Sequence, residues 1–264
     1  MIGFIGAGHM AAAILSGIVK NGTVPAAEMA ISNPHENKLE NFKKCFGIEG
    51  TTDNCAVAQK SDLLFLCVKP QKLDGVLEEI KEILPPDVMI VSVVAGRSIA
   101  SIREGLGRPV KTVRVMPNTP AAIGEGISAV CADADTARDE RYALLLRILA
   151  GMGAVSEVEE PMIDIAGQLA GASPAWLFAV IEAMADGGVQ QGMPRDLAYR
   201  FAAAGVAGAG KLALAEGGNP GRLKDQVTSP GGTTIEGLRI LEERAVRGAF
   251  FDAVIAACEK AKKL

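Results

Sequence analysis

The chain has 264 residues, 49% of them hydrophobic, and a net charge of -4. That length allows one large or two ordinary domains, each with its own core. The mild charge of mixed sign, with no basic run, argues against nucleic acid as a partner, and no stretch reaches the roughly 18 uninterrupted apolar residues of a membrane span.

The first strand is read from residue 2, leaving no room for a targeting segment, so the expectation is a cytoplasmic protein. Five cysteines (45, 55, 67, 131 and 258) form no CxxC pair and no even framework. They are expected as small buried apolar residues in a reducing compartment. With two histidines and scattered cysteines, no metal site is expected.

"MIGFIGAGHMAAAILSGIVKNG" reads as a short apolar strand, a glycine turn and a helix ended by Gly22. Gly6 permits a tight turn, Gly8 lets backbone approach a pyrophosphate, and Ala11 keeps the helix close to the strand. The helix start, with Ala7, His9 and Met10, supplies anion-binding N–H groups. Alone this GxGxxA pattern is weak; opening a strand–helix alternation, it points to a dinucleotide.

"EMAISNP" reads as a second strand. NAD sites usually carry Asp or Glu at its tip, but here the tip is Ser32, Asn33 and Pro34, with Lys38 a turn later. These residues would accommodate a 2′-phosphate, which favours NADP, with NADPH preferred and NADH still usable, although Glu28 and Glu36 are near.

Further strands are read in "SDLLFLCVKP", "PDVMIVSVVAG", "VKTVRVMPNTP", "GISAVCAD" and "GAVSEVE", with helical patterns between several of them. The strands lack strict alternation, as expected of a sheet covered on both faces. Two strand ends add candidate cofactor contacts: Val68, Lys69 and Pro70, then Ala95 and Gly96. The stiff loop at Pro117 and Asn118 could receive a nicotinamide.

After residue 158 the pattern becomes long, Ala-rich and helical. Pro194 and Pro220, the latter behind Asn219, sit where helices would start. The expected fold class is therefore an α/β Rossmann-like domain with a parallel-rich sheet (1–158), followed by an all-α dimerisation domain (159–264). Ala and Gly faces bury little area per residue, so a second copy is the expected cover.

"VTSPGGTTIEGL" interrupts this helical half. Gly231 and Gly232 leave the backbone unshielded, and a helix starting near Thr233 offers unpaired N–H groups to a carboxylate. A plain corner, with Pro230 as stop and the threonines as caps, is the ordinary alternative.

Taken together, "IGFIGAGHM", "LFLCVKP", "RVMPNTPA", "ADGGV" and "VTSPGGTTIEGL" resemble the pyrroline-5-carboxylate reductases in order and spacing over nearly the whole chain. The resemblance implies hydride transfer from NAD(P)H to the cyclic imine 1-pyrroline-5-carboxylate, giving L-proline. It implies cofactor contacts at Gly6 to Ala11, Ser32, Pro34, Asn54, Val68, Lys69 and Ala95. Substrate contacts would be Ser229, Gly231, Gly232, Thr233 and Thr234, with the Thr234 hydroxyl beside the ring nitrogen. It further implies an interlocked homodimer through the C-terminal helices and larger assemblies of dimers. One departure stands at "GASPA", where Ser173 replaces a glycine common in the family.

A β-hydroxyacid dehydrogenase is a rival on the same two-domain plan, with Lys211 as its lysine. Leu214 and Ala215 stand where its asparagine should follow. A non-catalytic NADP sensor is the rival outside enzymes, though its substrate loop should be degraded, and this one is intact.

Overall fold

Continuous apolar runs form the central strands, which bury side chains on both faces. In the computed structural model, which describes residues 1–215, 217 and 219–262, eight strands make one sheet. They are β1 (Ile2–Ile5), β2 (Met29–Ser32), β3 (Glu49–Thr51), β4 (Leu63–Leu66), β5 (Met89–Ser92), β6 (Lys111–Met116), β7 (Gly126–Ala132) and β8 (Gly153–Glu157). Between and after them lie α1 (His9–Asn21), α2 (Glu36–Phe46), α3 (Asn54–Ala58), α4 (Pro70–Ile80), α5 (Ile99–Leu106), α6 (Ala134–Ala137), α7 (Glu140–Ala150) and α8 (Glu160–Gly171).

The sheet order is β3-β2-β1-β4-β5-β6-β7-β8. Leu63 and Phe65 enter one core with Phe4, Met89 and Val91, beneath α1 and α7. Leu64 and Leu66 enter the other with Ile5 and Ile90, beneath α4 and α5. Phe4 and Phe65 stack at 4.8 Å between ring centroids, which locks the pairing of β1 with β4.

Pairing is parallel except between β6 and β7, which run antiparallel. Their connection holds only a short 3-10 turn, Thr119–Ile123, and lacks the long crossover a parallel pair requires. The sheet is thus parallel-rich, as expected.

The last strand ends at Glu157, where the sequence changes character, yet α8 still packs on the sheet. Ile163 is fully buried beside Ala129 and Cys131, and an added Cβ on Gly167 would meet Met116 Cγ at 2.5 Å. Arg114, on β6 and only 3% exposed, pairs with Asp164 at 2.7 Å and Glu160 at 3.4 Å. Two compact units result, one built on Met1–Gly171 and the other on Ala172–Glu259.

The second unit consists of α9 (Ser173–Gln190), α10 (Arg195–Ala215), α11 (Pro220–Gln226), α12 (Thr233–Glu243) and most of α13 (Val246–Ala261). Pro220 opens α11 and the Asn219 side chain caps it by accepting from the Arg222 N–H at 3.2 Å. Its core is small: Ala185, Ala198 and Ala202 join α9 to α10. Ser173 opens α9 beside buried Pro174.

The cysteines depart from expectation. Cys131 is buried, but Cys45 is exposed and Cys55, Cys67 and Cys258 are half-buried. Cys45 lies on the amphipathic α2, whose buried face is carried by Leu39 and Phe42. Among the described residues, no helix is long and apolar enough to cross a membrane.

Candidate functional site

Parallel register places the ends of β1, β2, β4 and β5 side by side, with Ile5 opposite Ser32 and Leu66, and Leu66 opposite Ser92. Four loops therefore leave one edge of the sheet. From β1 the chain goes to β2 and β3 on one side, while β4 follows on the other. Ligands of open α/β sheets settle at such a reversal.

Gly6 sits there with φ +105°, and an added Cβ would lie 2.6 Å from the Cys67 carbonyl oxygen. Conformation and space both exclude other residues. The Gly6 N–H donates to the Ser32 carbonyl at 2.8 Å. Ala7 is buried, His9 exposed and Met10 half-buried, while Ala11 packs into the core.

Gly8 caps α1 in extended backbone with no side-chain cap. The only atom an added Cβ would approach is the Cys67 carbonyl oxygen, at 3.9 Å. The first N–H groups of a 13-residue helix thus have no side-chain cap and the helix dipole behind them. That is a fit for a pyrophosphate.

At the tip of β2 the structure departs from the simple picture. Ser32 is fully buried, and its hydroxyl donates to Asn54 Oδ1 at 2.7 Å. Asn33 Oδ1 accepts from the Ala7 N–H at 3.2 Å, and its Nδ2 donates to the His35 carbonyl at 3.3 Å. Both side chains build the tip from within, while Pro34, His35 and Lys38 are exposed and Asn54 is half-buried.

Asn54 opens α3, which Asp53 caps by accepting from the N–H groups of Cys55 and Ala56. Asn54 Nδ2 in turn donates to Glu79 Oε2 at 2.8 Å. Nothing in "LEEIKEIL" marks Glu79 as near this tip. Asp53, Cys55 and Glu79 bring three potential ligand atoms within 4.8 Å of one another. Burial, then Glu79 and Asp53, push the Cys55 thiol up.

Val68 is half-buried and Lys69 exposed, capping α4 ahead of Pro70. Burial pushes the neighbouring Cys67 thiol up to about 12, so it stays neutral beside the glycine turn. Ala95 is half-buried and Gly96 exposed at φ +71°. Arg97, next to them, forks onto Asp74 and holds its carboxyl below the usual range.

Pro117 and Asn118 are buried. Asn118 Nδ2 donates to the Ala170 carbonyl at 3.1 Å, and its Oδ1 accepts from the Ile127 N–H at 2.9 Å. Its carboxamide is committed on both sides, so the residue sets the shape of the loop. Nearby, Glu160 Oε1 accepts from the Ile99 N–H at 2.7 Å and pins α8 to α5. This clamp has no local sequence signal, because its partners are 61 residues apart.

In the second unit, the Gly232 N–H donates to the Ser229 carbonyl at 3.1 Å, closing a turn with Gly231 at φ +66°. Gly232 then caps α12 in extended backbone, again with no side-chain cap. Thr233 is already the first helical residue, so the threonines are not the cap. Ser229, Gly231, Thr233 and Thr234 are exposed and Gly232 is half-buried. An anion here would meet backbone N–H groups and flanking hydroxyls.

Comparison with known proteins matches both units. Residues 160–264 match the family model of pyrroline-5-carboxylate reductase dimerisation. Residues 1–96 match the model described as NADP oxidoreductase coenzyme F420-dependent. A pyrroline-5-carboxylate reductase of Methanosarcina acetivorans is 41% identical, over 100% of this chain and 97% of that protein. The structure of a Coxiella burnetii pyrroline-5-carboxylate reductase superimposes with a TM-score of 0.89 at 33% identity, covering 99% of this chain and 97% of that one. The Plasmodium falciparum pyrroline carboxylate reductase, solved with NADP bound, gives 0.87 at 30% identity over the same shares. With this identity sustained from end to end, the chain belongs to the pyrroline-5-carboxylate reductase family.

Proposed function

We propose that the chain reduces 1-pyrroline-5-carboxylate to L-proline with NADPH, NADH also serving. Two helix starts support this, at Gly8 and at Gly232, each with a glycine cap and no side-chain cap. They supply two local anion sites to a chain of net charge -4. Local N–H dipoles thus outrank the weak overall charge, one for a dinucleotide pyrophosphate and one for a substrate carboxylate.

When bound, the reduced nicotinamide supplies the hydride. The chain's part is to hold the two reactants. Gly6, Ala7, Gly8, Pro34, Asn54, Val68, Lys69, Ala95 and Gly96 form the nucleotide edge, and Ser229, Gly231, Gly232 and Thr233 the carboxylate turn. Thr234 directs its hydroxyl at the ring nitrogen. A hydroxyl is a weak acid, so its role is hydrogen bonding and orientation, the proton arriving on the imine or from water.

Within 159–264, the helices from Ala172 to Glu259 serve as the dimerisation and substrate domain, while α8 packs on the sheet of the first unit. Leu177, Phe178, Phe201, Leu214 and Phe251 are all exposed in the single chain, and a second copy is the cover that suits them.

Mixing purified protein with pyrroline-5-carboxylate and following nicotinamide absorbance tests the activity, with NADPH and NADH in parallel. Oxidation with both, faster with NADPH at low concentration, is expected. Tight nucleotide binding without turnover would overturn the proposal. Replacing Thr234 by alanine should lower kcat by about a hundredfold, the scale of one misoriented reactant. NADPH affinity should not change, and a parallel loss of that affinity would remove Thr234 from the substrate side.

A further inference from the structure

NAD-binding sheets carry a carboxylate at the tip of the second strand, and this sequence has none in that position. The fold delivers one from another element. Glu79, in the last turn of α4, reaches Asn54 at 2.8 Å, and Asn54 rests on Ser32 at 2.7 Å. We propose that Glu79 is a positioning residue that restrains the preference for NADPH and keeps NADH usable. This rests on the reductase reading, because it concerns that site's nucleotide.

The polarity of this chain of hydrogen bonds is fixed at one end. An ionised carboxylate only accepts, so Asn54 must turn its NH2 group to Glu79. Its Oδ1 then faces Ser32, whose hydroxyl must donate inward. Ser32 O–H and one Asn54 N–H are thereby removed from any role toward a 2′-phosphate. Ser32 is a donor that the sequence alone offered to it.

Charge acts in the same direction. Glu79, bonded to Asn54, and Asp53, which precedes Asn54 in the chain, are exposed carboxylates, and both repel a phosphate more than a ribose hydroxyl. The exposed Lys38 on α2 gives the opposite sign at the tip. The balance is a moderate selectivity, set by a residue on a helix distant in sequence.

Glutamine at position 79 changes both factors with little change of shape. A Gln side chain can accept or donate, so Asn54 becomes free to turn over. Its NH2 would then face Ser32, whose buried hydroxyl keeps the Phe4 carbonyl as an inward acceptor at 3.5 Å, so the gain toward a 2′-phosphate comes from the carboxylate charge removed.

The test is a binding titration of the full chain with NADPH and with NADH, followed by reduced-nicotinamide fluorescence, for wild type, Glu79→Gln and Glu79→Lys. The expected result is an NADPH Kd about fivefold tighter in Glu79→Gln, the size of one exposed charge interaction. Glu79→Lys should tighten it further, while the NADH Kd stays within about twofold of wild type for both. Glu79 is exposed, so both variants should fold, and matching thermal melts without nucleotide would verify that. Equal shifts for the two nucleotides, or no shift for either, would overturn the role given to Glu79. Failure of the reductase reading looks different: wild type would bind the nucleotides yet show no oxidation of NADPH or NADH with pyrroline-5-carboxylate, an outcome that the Kd shifts of the Glu79 variants do not mimic.

Discussion

Replacing Phe201 by aspartate should convert the protein to monomers and remove its reductase activity. The reason lies in how little the second unit buries by itself. α9 and α10 meet through Ala185, Ala198 and Ala202, and the described residues of α11, α12 and α13 include none that is fully buried. Phe201 meanwhile is 64% exposed in the single chain, and Phe178 66%. Burying a phenylalanine contributes about 1.5–3 kcal/mol. An isologous interface carries each residue twice, so the loss is about 3–6 kcal/mol before the charge is counted. The dimer Kd should therefore rise by at least about a hundredfold, since each 1.4 kcal/mol is a factor of ten. Sedimentation across a concentration series reads this directly. A fully active dimer of the variant at wild-type concentrations would show that this helix face is not the interface.

The second large effect is expected at Gly6. An alanine there must adopt φ +105° and place its Cβ 2.6 Å from one backbone oxygen and 2.8 Å from its carbon. Neither side can retreat, because the Cys67 N–H donates to the Ile5 carbonyl at 2.8 Å and holds the strand ends together. Backbone strain of this kind costs about 1–3 kcal/mol, and the contact adds to it. Gly6→Ala should lower Tm by roughly 8 °C and weaken NADPH binding by about a hundredfold, the scale of 2.7 kcal/mol. Gly8→Ala separates stability from binding. Its Cβ meets only one atom, at 3.9 Å, so Tm should hold while nucleotide affinity falls. If Gly8→Ala binds NADPH normally, the uncapped start of α1 is not the pyrophosphate site.

The sequence made visible what local chemistry dictates. Runs such as Leu63 to Leu66 announce strands covered on both faces, and Gly6 and Gly8 announce a strand–helix turn open to an anion. Asn219 ahead of Pro220 announces a capped helix, and one is there. What it hid depends on residues far apart in the chain. β3 is three residues of an exposed edge, Glu49-Gly50-Thr51, with no apolar run to betray it. Ser32 and Asn33 read as outward ligands, but their partners, Asn54 and Ala7, are 22 and 26 residues away. Whether a polar side chain at a strand tip faces a ligand or the protein is decided by those partners. Asn118 is the same case: a polar loop residue by sequence, a two-sided clamp in the fold.

The alanine seam between α9 and α10 has a consequence in mass action. A helical half that acquires its core from another copy has no stability constant of its own. Its unfolding is second order in reverse, so its melting temperature should climb with protein concentration. Each tenfold dilution removes about 1.4 kcal/mol of the stability shared by the pair. Scarcity of the chain then acts like a destabilising mutation, and specific activity measured in a dilute cuvette understates what a crowded, well-supplied compartment would show.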